Sequence, residues 1–565
     1  MTSVIGQARA SPHHVFVNRA APNPEPTPPA DAAGQTHSGM PVQPFYGPED
    51  VRGSDYDSRL GDPGAYPFAR GVRPPSAVRR GWVQRELSGE GDPARSNAQL
   101  RQLLAHGQSG LDVIGDAPTM AWMDPDHALA RHAIGTQGVS LCRLDDFDEL
   151  YRGLPLGEIT LSHSLPAPIT VAALWCIARR RGVAPERLRG SVIQTPYFCE
   201  DTGYAVHMPF ELRLRLAADS IAFSSETMPR FHAFLEDTYY ISDGALDAVD
   251  EMAFGFVETR GLVRELLCRG VPVDRFAPRI AFLVNCRMDV FEEIAKIRAT
   301  RRLHARMMRD EFGARDPRSL AVNVTVHTSG MSLTAQQPVN NIVRGAIQAF
   351  ALALAGVQAI EVSAFDEAFR TPSPEAHAVA LRTQQIVDLE ARAGRVLDPL
   401  GGSWFVESLT DELERRIESR VAQIEAMGDP AALVDGGWFR GVFRDAMERE
   451  ARAVADGSLA RVGVNCFQIP EEDDVLLRDV VEGKIEPFRA RIDEIRHHKS
   501  TRDALKTSES LSALGALAAR RDANLMPGLV EALEAGATMG EIAASLRVAY
   551  GRPADPFSPG GTAVG

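Results

Sequence analysis

The chain has 565 residues, enough for more than one domain or for one large barrel with additions. A formal net charge of −14 argues against a surface built for nucleic acid or anionic membrane, and no apolar run reaches the length of a membrane span. Hydrophobic residues at 44% are ample for a core, and six scattered cysteines without a CxxC pair fit a reducing cytoplasm without a disulfide framework or zinc cluster.

Residues 1–42 are rich in Pro, Ala and Gly, lack a signal-peptide core, and read as a disordered tail. Residues 43–100 begin turn-rich but keep Phe45, Tyr46, Tyr56, Tyr66 and Phe68 at intervals, which predicts an arm lying on another surface. From residue 101 to 400 short strand-like runs alternate with helical patterns. The predicted strands are 111–116, 139–144, 158–165, 190–195, 231–240, 279–286, 320–327 and 359–368. Eight strands, each followed by a helix or long loop, predict an α/β fold of the (β/α)8 TIM-barrel type. An open doubly wound sheet is the alternative, but there is no GxGxxG fingerprint to support it. Residues 401–565 read as a mainly helical C-terminal region.

Several predicted strands carry small polar side chains on one face: Thr160, Ser162 and Ser164, then Asn323, Thr325 and His327, with Gln194, Asp237, Asn285 and Ser363 adding to them. Barrel interiors are ordinarily packed with Val, Ile and Leu. Buried polar groups cost free energy unless partnered, so this face predicts either a hydrated axial channel for a long polar ligand or residues turned toward the helices and barrel ends. The run LAVNVTVH, Leu320 to His327, leads through Thr-Ser-Gly into a helix from Asn341. That turn either presents backbone N–H groups to a ligand or is an ordinary strand-to-helix connection. Asn340 and Asn341 suit the helix start, and Ile342, Ile347, Phe350 and Leu354 mark its expected buried face. No cluster has metal-ligand spacing.

Five segments, YPFARG (66–71), IAKIRATRRLHARM, TSGMSLTAQQPVNNIVRGAIQA, SAFDEA and DPLGGSWFVE, resemble the methylmalonyl-CoA mutase family in order and spacing, over about residues 44–470. The resemblance is strongest to the large subunit of the two-subunit type, such as isobutyryl-CoA or 2-hydroxyisobutyryl-CoA mutase. It implies a (β/α)8 barrel with CoA threaded along its axis, adenosylcobalamin at the barrel mouth, and radical isomerisation of an acyl-CoA. The family's cobalamin domain carries a DxHxxG motif whose His ligates cobalt; this chain has none, DPDH at 124–127 having the wrong spacing. The resemblance therefore implies a separate small cobalamin-binding subunit and a hetero-oligomer.

Carried over position by position, the resemblance makes Gln194 an active-site residue and Glu367 the acid that holds the adenosyl ribose, with Gly89 and Ser363 beside the cofactor. Arg298 and Ser332 match positions along the CoA path, and Arg80 and Arg85 fall where family arginines contact CoA phosphates. Departures are as informative. The family's RQ(aromatic)AG reads RELSG, placing Leu87 where the aromatic stands. Tyr204 takes the place of the arginine that pairs with the methylmalonyl carboxylate, and Tyr240 that of the His that bonds the thioester carbonyl. HxQTSG becomes TVHTSG, with Thr325 and His327, and AFDLPT becomes IGDAPT, with Asp112, Ile114, Gly115 and Asp116. These changes imply an active mutase with a different acyl group, or a catalytically silent mutase-like subunit serving assembly.

Overall fold

The computed structural model describes residues 34–557 apart from 54, 77–80, 200–206, 475–476 and 478–484. One all-parallel sheet contains β1 (Val83–Arg85), β2 (Leu87–Ser88), β3 (Gly110–Ile114), β4 (Thr160–Ser164), β5 (Arg189–Gln194), β6 (Phe231–Asp237), β7 (Ile280–Cys286), β8 (Asn323–Thr328) and β9 (Ala359–Glu361). β1 pairs with β9 and β2 with β3, and a single residue, Glu86, separates them. They are two halves of one strand, and that strand closes an eight-stranded barrel. The break has a local cause. Gln384, on the outer helix Pro374–Leu389, donates to the Arg85 carbonyl and to Glu86 Oε1, taking backbone and side chain away from the ladder.

The strand count matches the prediction, but one member differs. The run at 139–144 is not a strand: Val139 makes single bridges to Gly91 and Gly115, and a helix begins at Leu144. The strand at 83–88 takes its place, so the barrel begins at Val83 rather than at residue 101. The end of the expected tail also belongs to the fold. The Met40 side chain is fully buried, and Ser38 bonds Glu292 on the helix Val290–Arg306.

Parallel partners in register share a face. From Arg85, Asp112 and Thr325 the register therefore points Ser162, Leu283, Asn285, His327 and Glu361 the same way, into the barrel. Gln194 lies three residues beyond Ser191, which faces Ser162 on the axis, so ordinary alternation sets it with its partner Glu236 on the outer side; the register shift is taken up in β6, between His232 and Leu235. The helix Asn340–Ala355 ends at Gly356, whose φ of +68° gives the left-handed cap that turns the chain into β9. Its buried face is Asn341, Gly345, Gln348 and Leu352. The expected face is reversed: Ile347 and Phe350 are 40% and 43% exposed. Nor does Asn341 cap its own helix. Its amide clamps the Thr334 and Phe365 carbonyls, joining the loops after β8 and β9.

The arm lies along the outer helix Trp404–Ala426, with Tyr46 on Phe405 (4.8 Å between ring centroids) and Arg59 on Asp411 at 2.6 Å. The C-terminal helices, Ala490–Thr501 through Met539–Ala549, cover the other side. Buried Arg215 donates to the carbonyls of Ala518, Arg520 and Ala523 and so fixes that layer to the barrel. Among the described residues no helix is long and apolar enough to cross a membrane.

Candidate active site

The ends of β6 to β9 build a polar mouth. β6 stops at Asp237, which caps the short helix Thr238–Ser242 by accepting from the Tyr240 N–H at 3.2 Å. This switch from strand to helix turns Tyr239 inward. Its ring stacks on His327, centroids 4.6 Å apart and 24° between planes, and its hydroxyl meets the Asp243 carboxyl and the Gly330 backbone N–H. Asn285 Nδ2 donates to Ser242 Oγ at 3.0 Å and to Asp243 at 3.2 Å. Ser363 Oγ donates to the Thr328 carbonyl at 2.8 Å and lies 3.2 Å from His327 Nε2. Glu367 accepts from the Ala364 N–H at 3.0 Å, with its other oxygen 3.9 Å from His327 Nε2.

Burial sets the protonation states here. It lowers His327 to about 4, with Asp112 opposing and Arg85 assisting, so the imidazole is neutral at physiological pH. The same desolvation raises Glu367 to about 7 and Asp243 to about 6. A carboxyl that titrates near neutrality, beside a neutral imidazole, is a site ready to accept a hydroxyl hydrogen bond.

Just inside the mouth, Arg85 donates to Thr325 Oγ1, faces Glu361 at 3.0 Å and lies 3.6 Å from Asp112. All three charged side chains are at most 5% exposed. Desolvation, then the Asp112 charge, pushes Glu361 well above the usual carboxylate range. Polar atoms are left over around this cluster: among the described residues Thr160 Oγ1, Asn285 Oδ1, Ser329 Oγ and Ser332 Oγ are buried with no hydrogen-bond partner. Four such atoms on β4, β7 and the turn after β8 are costly as an empty interior.

The other expected site residues fall in different places. Leu87 is half-buried, in register with Asp112. Gly89 serves the backbone: at φ +141°, a Cβ there would come within 2.5 Å of the Ile114 carbonyl oxygen. Gln194 does not face the axis. It donates to Ser220, on the helix Phe210–Thr227, and to the Ala233 carbonyl. Arg298 does not line the axis either. It sits on the outside of the barrel and pairs with Asp398 and Glu407. Tyr240 is partly buried, edge-on to Tyr239. Arg80 and Tyr204 lie outside the described residues. Tyr239 and Asp243 were missed by sequence reasoning. The signal for them is Asp237, a helix-capping residue at the end of an apolar strand, which predicts the turn that redirects Tyr239. Among the described residues no group of His, Cys, Asp and Glu is placed to hold a metal ion.

A closed parallel barrel with polar groups along its axis and titratable groups gathered at its C-terminal mouth defines a (β/α)8-barrel protein with a polar interior. The family model for methylmalonyl-CoA mutase matches residues 35–552, and the chain belongs to that family. It is 33% identical to the 2-hydroxyisobutanoyl-CoA mutase large subunit of Aquincola tertiaricarbonis, over 91% of each chain. Against the methylmalonyl-CoA mutase of Escherichia coli (strain K12) identity is 33%, over 92% of this chain and 72% of that protein. The methylmalonyl-CoA mutase large subunit of Streptomyces virginiae is 32% identical over 93% of this chain and 72% of its own length.

Proposed function

We propose that the chain is the acyl-CoA-binding large subunit of an adenosylcobalamin-dependent acyl-CoA mutase. It isomerises the carbon skeleton of an acyl-CoA other than methylmalonyl-CoA and works with a small cobalamin-binding subunit. The observation that carries the reading is the row of unpartnered buried polar atoms from Thr160 to Ser332. A pantetheine chain, with alternating amide donors and acceptors, would satisfy them. A second carboxylate on the acyl group would not be welcome, because Arg85 already faces both Asp112 and Glu361. The match over 91% of a relative named as a large subunit supports a division of labour with a small one. Six free cysteines, four of them buried, suit a cytoplasmic setting.

The mouth fits the adenosyl part of the cofactor. Glu367, with Ser363 and His327 beside it, offers a carboxylate acceptor to ribose hydroxyls, and a donated hydrogen bond would favour its ionised form. Adenosylcobalamin, when bound, would supply the radical chemistry of the rearrangement. The chain's own groups hold the substrate and exclude water. The closed barrel surrounds the acyl group, and neutral His327, its ring held by stacking on Tyr239, offers a hydrogen bond near the thioester carbonyl.

A second reading, a silent barrel serving assembly, draws on one feature: the Arg85–Asp112–Glu361 cluster occupies the axis itself. The test is turnover. The protein is mixed with a cobalamin-binding subunit from its own genome, adenosylcobalamin and a panel of branched and hydroxylated acyl-CoAs, and isomers are sought by mass-resolved chromatography. Rearrangement of a monocarboxylic acyl-CoA with methylmalonyl-CoA untouched supports the mutase reading. A stable complex that yields no isomer from any substrate supports the silent one.

A further inference from the structure

Beside the mouth, outside the barrel axis, lies a cavity of about 900 Å³. Its walls come from residues 35–37, the loop after β7, the helix Asn340–Ala355 and the helix Trp438–Ala455 with the loop that follows it. Four arginines line it: Arg287, Arg344, Arg449 and Arg461. The acids among them are already engaged. Glu450 is shared between Arg287 and Arg461, the latter at 2.8 Å. Asp247 accepts from the N–H groups of Val249 and Asp250, and Asp289 from those of Glu292 and His37. Arg344 donates to Thr334 Oγ1, Asn341 Oδ1 and the Val462 carbonyl, all neutral groups, and the Arg449 charge reaches Asp247; among the described residues no carboxylate pairs with either guanidinium at contact distance.

From this geometry we infer a second ligand site, for a phosphate ester of nucleotide size such as a nucleoside diphosphate. Guanidinium forks match phosphate oxygens in pairs; the Arg449 fork is exposed for that pairing, and Arg344, bonded to neutral acceptors, adds a charge that no acid neutralises at contact distance. The volume is larger than an inorganic ion needs and lies in the range of small-molecule sites. Met288, Leu459 and Val462 give one wall an apolar surface on which a base can rest. The local field is consistent with an anion. Burial, then the Arg287 charge, lowers His37 to about 4, and burial, then the Arg461 charge, lowers Arg344. The site adjoins the mouth, since Arg287 immediately follows Cys286, the last residue of β7, and its charge reaches Asp243.

The test titrates the full chain, by calorimetry at low ionic strength, with pyrophosphate, ADP and adenosine. Saturable one-site binding of pyrophosphate and ADP, and none of adenosine, is the expected result. Arg449 is exposed and holds no other element, so Arg449→Glu should leave thermal unfolding unchanged while weakening ADP at least about tenfold. Saturating isobutyryl-CoA should leave ADP binding intact. Absence of saturable binding by either phosphate probe would overturn the site, as would equal ADP affinity in Arg449→Glu. Displacement of ADP by isobutyryl-CoA would mean that ADP reports on the acyl-CoA path, and a separate site would then be ruled out.

Discussion

Lys296 on the outer shell and Arg85 on the axis are both buried cations facing two carboxylates, yet they are served differently. Lys296 donates to Glu251 at 2.8 Å and to the Asn285 carbonyl at 2.9 Å, and it lies 2.6 Å from Glu293. Arg85 has one firm hydrogen bond, to Thr325, and looser contacts at 3.0 and 3.6 Å, with unpartnered hydroxyls and amide oxygen around it. The shell cluster is drawn tight around its cation and locks β7 to its helix. The axis is left incomplete, and an incomplete polar interior is what a channel for a polar ligand requires.

The largest effect should come from breaking the tighter cluster, the one around Lys296. Lys296→Met strands Glu251 and Glu293 in the interior and should cost about 3–5 kcal/mol in denaturant unfolding. A loss under about 1 kcal/mol would mean that the shell cluster is not a structural lock. Next, Glu367→Ala at the mouth should lower adenosylcobalamin-dependent turnover about 10- to 100-fold while leaving the melting temperature close to wild type. Burial raises Glu367 to about 7, so its acceptor form grows as pH rises through 7. Cofactor affinity should therefore increase between pH 6 and 8 in the wild type and be flat in the variant, which a spectroscopic titration would show.

His327 gives a smaller effect with a definite sign. Its native pKa is lowered from 6.5 to about 4, so between those values the unfolded chain binds a proton that the native state refuses. Stability is intact above pH 6.5 and falls as pH drops toward 4, by about 2 kcal/mol at pH 5 from this residue alone. His327→Gln should show a correspondingly shallower loss between pH 7 and 5, measured as stability in urea at each pH. Smallest is Ser332→Ala. Its hydroxyl has no partner, so stability should change by less than about 1 kcal/mol or rise slightly, while acyl-CoA affinity falls. A clear loss of stability would mean that Ser332 is satisfied without a ligand.

Much of the barrel was legible because its strands are apolar on the helix side and polar on the axis, as Val324 and Thr325 show in adjacent positions. The closing strand was not, since VQRELS carries Arg85 and Glu86, whose burial depends on partners from β3, β9 and Gln384. The helix after β8 was legible in extent but not in orientation. Its small residues, Gly345 among them, let it approach the sheet closely, so the apolar stripe faces out. At the mouth the structure brings together Glu367, His327 and Ser363, three of the residues named from the resemblance. Gln194 was expected on the axis, but alternation from Ser191 turns it outward to Ser220. Arg298 reads as a ligand-facing cation only until Asp398 and Glu407, about a hundred residues away, are brought to it.

The most direct test of the account is acyl-CoA binding to the axis. Isobutyryl-CoA and methylmalonyl-CoA would each be titrated calorimetrically into the wild type and into Ser332→Ala. Saturable binding of isobutyryl-CoA, weakened in the variant and at least about tenfold tighter than methylmalonyl-CoA, is the predicted result. Failure of either thioester to bind, or equal binding of both with no effect of the variant, would contradict the claim that the polar axis is a channel for a monocarboxylic acyl-CoA.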